Sequence, residues 1–423
     1  MQREQNQKPG RRRSFTPAEE TRIALRRHQP QKTGGKVRLP SWSALAGEFD
    51  RDPRLLQQAS IRAFERGHVK VIEVPRLPAE CVRVEGLEKA LHFKFKVRRP
   101  IVVDTDEFER EYLKTFHNPG HYSALNALDD EIHRILGAHM ARIIEERFIF
   151  DDSCVIGLGA GRGVYYILEA LLLRKVMLDY TDVALMSLSG FVHPHDYASR
   201  LSVPLDSDYH VWLMASCFST QVRLQQVYYP ITCEKRDDTP LGQKSWKEFH
   251  PQVILAGVGA LSSGHRFYDA AKSVRHTAAA QPDTMLAPIM KELSELVEIC
   301  DRISKLSKAI DPAFWPVGDI CHRLYYVQPP ASVTVPPTDQ AHAERLIKCI
   351  NDKLLNVSEG QLREVQIALV AGTLRKAYAI HELLRAGRYN VRVLCIDKKA
   401  AEKILEIDTT ERSHLGNNYQ SGQ

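Results

Sequence analysis

Val155-Ile156-Gly157-Leu158-Gly159-Ala160-Gly161-Arg162-Gly163 sets four glycines, alternating with other residues, directly after an apolar run and directly before a helical one. That layout is a strand, a tight turn and a helix N-terminus. Glycine lacks Cβ and reaches positive φ at little cost, so such a turn can present bare N–H groups to a ligand. A strand–helix turn that holds no ligand uses the same residues, and both readings stay open. Working outward, residues 153–274 alternate strand-like and helix-like patterns, the signature of a doubly wound parallel sheet. Residues 154–157 are read as the first strand, 164–174 as its crossover helix and 176–179 as the second strand. Residues 211–214 and 253–258 are further strand candidates. Gln252 to Gly259 is apolar nearly throughout, as a strand covered on both faces must be.

The expected fold is α/β: a Rossmann-like core at 106–276, with a basic arm at 1–40 and an α+β extension at 41–105. A mostly helical C-terminal extension follows at 277–400, with a polar tail at 401–423. Residues 1–40 hold eleven Lys and Arg against three acids, so this stretch alone carries about +8 and the remainder of a chain of net charge +6 is near neutral. Such an arm suits phosphate contacts with nucleic acid or an anionic surface, and equally a disordered solubilising tail. Eight cysteines without a C-x-x-C pair read as reduced thiols. A polar, arginine-rich start argues against a secretory signal, and no apolar run reaches the roughly 20 residues of a membrane span.

On the N-terminal side, residues 41–66 read as helical and 69–74 as a short strand. Residues 91–97 alternate Phe93, Phe95 and Val97 with Lys94 and Lys96, which predicts a half-buried strand. Residues 106–116 and 124–147 read as helices. On the C-terminal side, residues 285–309 carry a helical apolar stripe. Prolines then punctuate the chain to Pro337, Thr338 caps a helix to about 355, and a second helix runs from Ser358 to Ala386, where Gly387 ends it. Residues 391–396 form a last short strand.

Several side chains are candidates for chemistry. An acid at the end of a second strand can hold ribose hydroxyls, and Asp179 and Asp182 qualify. His121 follows an Asn-Pro-Gly turn at a helix entry, where the dipole favours a neutral, nucleophilic imidazole. A solvent-facing ring at a helix start is the competing reading. His193 and His195 lack a third ligand, which makes a metal site weak. Cys233 beside Lys235 and Arg236 is a candidate reactive thiol. The glycine spacing G-x-G-x-G-x-G leans away from a dinucleotide fingerprint and toward loops that bind S-adenosylmethionine.

Taken in order, Asn118 to His121, Val155-Ile156-Gly157 with Arg162, Asp182-Val183, the segment Thr232 to Arg236, and the stretch from Tyr326 through the helices after Thr338 resemble the alphavirus-like superfamily of viral RNA capping enzymes. The resemblance implies a methyltransferase core that binds S-adenosylmethionine through Val155, Gly157, Gly159, Gly161, Arg162, Asp179 and Asp182. It implies N7-methylation of GTP, transfer of the methylated nucleotide through His121 to RNA 5′ ends, and Mg²⁺ at the phosphoryl step. Implied partners are RNA, other viral replication proteins, a second copy of the chain and a peripheral membrane contact. The implied location is host cytoplasm, at replication complexes. This chain departs from the family at Val155, where an acid is usual, and in a shortened segment after Arg275. The alternatives are a methyltransferase without guanylyl transfer, a catalytically silent RNA-binding replicase component, and an NAD-dependent dehydrogenase.

Overall fold

The computed structural model describes residues 81–114, 122–190, 206–225, 232, 250–262, 265–276, 286–307, 310–311 and 313–420, with scattered positions between 23 and 59. The chain divides into two compact units, Met1–Leu77 and Pro78–Gln423. In the first, Gln31–Thr33 and Lys36–Arg38 pair antiparallel, with Gly34-Gly35 between them in the sequence. Ile23, Leu45, Leu56 and Ala59 form a small buried cluster.

The second unit is a mixed α/β structure around a mostly parallel sheet, a Rossmann-like architecture. Its strands are β1 (Arg99–Val103), β2 (Val155–Leu158), β3 (Ala184–Ser187), β4 (Arg223–Gln225), β5 (Val253–Ala260), β6 (Val317–Ile320), β7 (Arg323–Tyr326), β8 (Gln366–Val370) and β9 (Asn390–Asp397). Seven of them run parallel in the order β4-β3-β2-β5-β8-β9-β1. From β2 the chain moves outward through β3 and β4, then returns to β5 on the other side. The strand order reverses between β2 and β5, and such a switch point is where sheets of this kind place a ligand crevice, at the C-terminal ends of the strands. The antiparallel hairpin β6–β7 pairs with the last three residues of β5 and closes over that end.

Alternate residues of the central strands face opposite layers. Ile254, Ala256, Val258, Ile367, Leu369, Leu394 and Ile396 join one large core with α7 (Met290–Ser307), α8 (Pro337–Lys353) and α10 (Ala377–Leu384). On the other face the Cys395 thiol donates to the carbonyl of Leu136 in α3 (Tyr122–Glu145). There α4 (Arg162–Leu173) approaches β8 so closely that a Cβ on Gly163 would lie 2.9 Å from Val370 Cγ1. Helices α1 (Glu85–Phe95), α2 (Asp106–Lys114), α5 (Ser207–Ala215), α6 (Arg266–His276), α9 (Glu359–Glu364) and α11 (Lys398–Gln420) complete the layers.

Four sequence expectations are corrected. Residues 91–97 lie largely in α1, because Leu87, Leu91 and Phe95 recur every four residues and face the core while Phe93 is 70% exposed. Lys96, at φ 59°, ends that helix. Residues 211–214 lie in α5, where Ser207, His210, Val211 and Met214 are buried at helical spacing. The second strand is β3 and not 176–179, of which Leu178 alone makes an isolated bridge. The stretch 358–386 is not one helix: a capping box at Ser358 and Gln361 starts α9, and β8 follows. The mostly helical extension is therefore corrected too, since it supplies two interior strands of the sheet. No helix among the described residues is long and apolar enough to cross a membrane.

Candidate functional site: a crevice at the strand C-termini

The glycine loop leaves β2 at the mouth of the crevice. Three of its four glycines are dictated by crowding. A Cβ on Gly157 would meet Leu188 and Ile254 side chains at 2.7 and 2.8 Å, one on Gly159 would meet Cys321 Sγ at 3.0 Å, and Gly163 abuts β8. Gly161 differs: open space surrounds it, and its φ of +108° is a conformation reserved for glycine. It is the N-cap of α4 and offers no side-chain cap, so the first N–H groups of that helix are left for another acceptor.

The turn after β8, Ala371-Gly372-Thr373-Leu374-Arg375-Lys376, faces the same space. Thr373 has φ 77°, rare for a β-branched residue, and its N–H donates to Asp397. Its buried hydroxyl has no partner among the described residues. Arg375 pairs with Asp129, and Arg162 Nη1 lies 2.6 Å from Asp130 Oδ1. Lys376 Nζ has a different neighbour, His133 Nε2 at 2.6 Å. Burial, then the nearby Arg162 and Arg375 guanidinium groups, bring the Lys376 amine down to about 7. Burial likewise drives His133 well below its ordinary range, helped by Lys376 and Arg162.

The β6–β7 hairpin forms the roof. Cys321 and His322 both have positive φ, 49° and 62°, the requirement of a tight two-residue hairpin turn. Asp319 on β6 accepts from His265 Nε2 at 2.9 Å. Burial opposes its charge, but His265 overcomes this and holds the carboxyl below the usual carboxylate range. Gly259 makes room for the pair, because a Cβ there would coincide with the Asp319 carboxylate. Below, His210 Nδ1 donates to the Gly159 carbonyl at 2.8 Å, and burial takes this ring down to about 4. Its Nε2 is a buried acceptor with no partner among the described residues.

The sequence-derived site residues fall in three places. Gly157, Gly159, Gly161 and Arg162 are on the loop at the crevice. Val155 begins β2, about 10 Å of extended chain before the loop. Asp179 and Asp182 precede β3, at the N-terminal end of the strands and so at the end of the sheet opposite the crevice, exposed, beside Arg147 and Arg223 respectively. His121, His193, His195 and Cys233 lie outside the described residues. Sequence reasoning missed Lys376, Arg375, Thr373, His133 and the Asp319–His265 pair. Only the Gly372-Thr373 step, which interrupts an apparent helix, hinted at them. Among the described residues no group of three or more His, Cys, Asp or Glu is placed to hold a metal ion.

No family model and no curated protein matches this chain. Similar solved structures include the full-length sorbitol operon regulator SorC from Klebsiella pneumoniae, at 16% identity and a TM-score of 0.47, covering 86% of this chain and 94% of that one. A DeoR family transcriptional regulator from Listeria monocytogenes has 16% identity and a TM-score of 0.47, covering 76% and 98%. A putative sugar-binding domain of a transcriptional repressor from Vibrio fischeri has 14% and 0.48, covering 77% and 99%. These findings correct the resemblance to viral capping enzymes. The structures that this fold resembles carry titles of transcriptional regulators, and the acids expected to hold a methyl donor's ribose stand at the opposite end of the sheet, before β3. The readings as a capping methyltransferase-guanylyltransferase and as its methyltransferase or silent-replicase alternatives fall with it. So do the enzyme assignment and the placement at viral replication complexes in host cytoplasm.

Proposed function

We propose that this chain is a ligand-responsive regulator of the kind those titles describe, in which the crevice binds a small, hydroxyl-rich anion such as a phosphorylated sugar. The observation that carries the reading is the convergence of Arg162, Arg375 and Lys376 with the uncapped start of α4 at the sheet's switch point. The helix N–H groups and the two guanidinium groups supply the charge complement of a phosphate, with the Lys376 amine beside them. The orphan hydroxyl of Thr373 and the orphan Nε2 of His210 supply a donor and an acceptor for sugar hydroxyls. The basic arm, eleven cations in forty residues, fits contact with a nucleic-acid backbone.

Titration calorimetry and thermal unfolding with a panel of monosaccharide phosphates, the unphosphorylated sugars and S-adenosylmethionine test the reading. A phosphorylated sugar is expected to bind and raise Tm, with its parent sugar much weaker. Binding of S-adenosylmethionine in preference to every sugar phosphate would overturn it.

A further inference from the structure

Lys376 is the cation of the crevice whose nearest hydrogen-bond partner is a histidine. Arg162 and Arg375 sit on Asp130 and Asp129. The tautomer of that histidine is fixed from behind: His133 Nδ1 faces the carbonyl oxygen of Asp129, which can only accept, so Nδ1 carries the proton. The Nε2 lone pair is thereby turned toward Lys376, 2.6 Å away. An amine, a base within hydrogen-bond reach and a third group that orients the base form the arrangement by which proteins activate a nucleophile.

We propose that Lys376 is a nucleophilic amine that forms a reversible Schiff base with the carbonyl of an open-chain aldehyde or ketone held in the crevice. The inference rests on the reading of the crevice as a sugar-phosphate site, since a sugar phosphate in its open form brings both the anion and the carbonyl. The Nζ lone pair attacks the carbonyl carbon, and the carbon–oxygen π pair moves onto oxygen. His133 Nε2 carries one nitrogen proton to that oxygen, giving a carbinolamine, and then carries the second nitrogen proton to the hydroxyl so formed, so that one water leaves with both protons and a C=N bond remains. No oxidant or reductant is consumed.

The surroundings favour the free amine that this step needs. Arg162 on α4 and Arg375 on the same turn oppose an ammonium, Asp319 on β6 and Asp130 on α3 favour it, and burial outweighs both acids. With the amine at about 7, most of it is unprotonated at pH 8, where an ordinary lysine would be under about 1% free base.

The test uses the full chain with D-glyceraldehyde 3-phosphate and cyanoborohydride, which reduces any imine to a stable secondary amine, followed by intact mass and peptide mapping. Glycerol 3-phosphate, which has the anion but no carbonyl, serves as competitor and as binding probe. One adduct is expected, on Lys376, blocked by glycerol 3-phosphate and half-maximal in rate near pH 7. Lys376→Arg is expected to remove it. His133→Gln is expected to slow it about tenfold or more while glycerol 3-phosphate still binds. Adducts scattered over other lysines at the same rate in Lys376→Arg, or a half-maximum near 10, would overturn the proposal. If Lys376→Arg does not fold, the competition and pH profile of the unmodified chain decide the matter alone. Binding of glycerol 3-phosphate without trapping at Lys376 sinks the Schiff base and leaves the sugar-phosphate reading standing. Trapping at Lys376 without any binding of glycerol 3-phosphate sinks that reading and leaves the nucleophile.

Discussion

Two turns stand on either side of β5, one after β2 and one after β8, and both open into the same crevice. The first is rich in glycine and draws the eye in the sequence. The second has one glycine between Ala371 and Lys376 and looks like part of a helix. Their roles are divided unevenly. In the first turn, three glycines exist because neighbouring strands and the hairpin roof leave no room for a Cβ, and Gly161 alone is exempt from crowding. In the second, Thr373 is held at positive φ, and Arg375 and Lys376 reach Asp129 and His133 on α3. The glycine-rich turn is mostly a matter of close packing and adds Arg162 and the start of α4, while Arg375, Lys376 and the strained Thr373 sit on the turn without a motif.

The largest effect expected from this contrast is acid sensitivity of the crevice. His210 is fully buried and neutral, with its folded value at about 4 against 6.5 when free. The unfolded chain therefore binds the extra proton between those values. Stability rises with pH across the window, is complete above about 6.5, and is lost toward 4, by about 3 kcal/mol from this ring. Urea unfolding from pH 4 to 7 is expected to show that slope and to show it flattened in His210→Gln; parallel curves would break the assignment.

Next in size is the division among the glycines. Gly163→Ala forces a methyl against the backbone of β8 and is expected to cost about 2 kcal/mol, whereas Gly161→Ala costs about 1 kcal/mol through φ strain alone. Thermal unfolding of both variants measures this, and equal losses would erase the distinction between packing and conformation. For ligand affinity, Arg162→Gln is expected to weaken a sugar phosphate about tenfold by calorimetry. Arg147→Gln, near Asp179 at the opposite end of the sheet, is expected to leave it unchanged. The smallest expected effect is at Thr373→Gly, which relieves positive φ and raises stability by about 1 kcal/mol while lowering ligand affinity. A variant that gained stability with no loss of affinity would remove Thr373 from the site.

Much of the architecture was legible before any coordinates. The apolar residues from Val253 to Val258 are buried in β5, as their composition requires, and β2 and α4 lie within a residue or two of the strand and helix read around the glycine stretch. The errors came from short segments that fit two periods. Residues 91–97 alternate like a strand, yet Leu87, Leu91 and Phe95 also repeat like a helix, and burial selected the second. Residues 366–370 are as apolar as a helix interior, and parallel pairing on both sides made them a strand. Asp179 and Asp182 were placed on the assumption that a strand ended there. With the strand at Ala184–Ser187 they moved to the opposite end of the sheet.

By itself the sequence determined an α/β fold wound about a glycine-marked strand, a basic arm and the absence of a long apolar span, because these depend on composition and on local periodicity. The tertiary structure alone decided which residues meet. His133 on α3, Arg162 on α4, Asp319 on β6 and Lys376 after β8 are separated by up to 243 positions, and no local pattern links them. They meet because parallel strands put all their C-terminal ends on one side of the sheet, so residues far apart in the chain share one crevice.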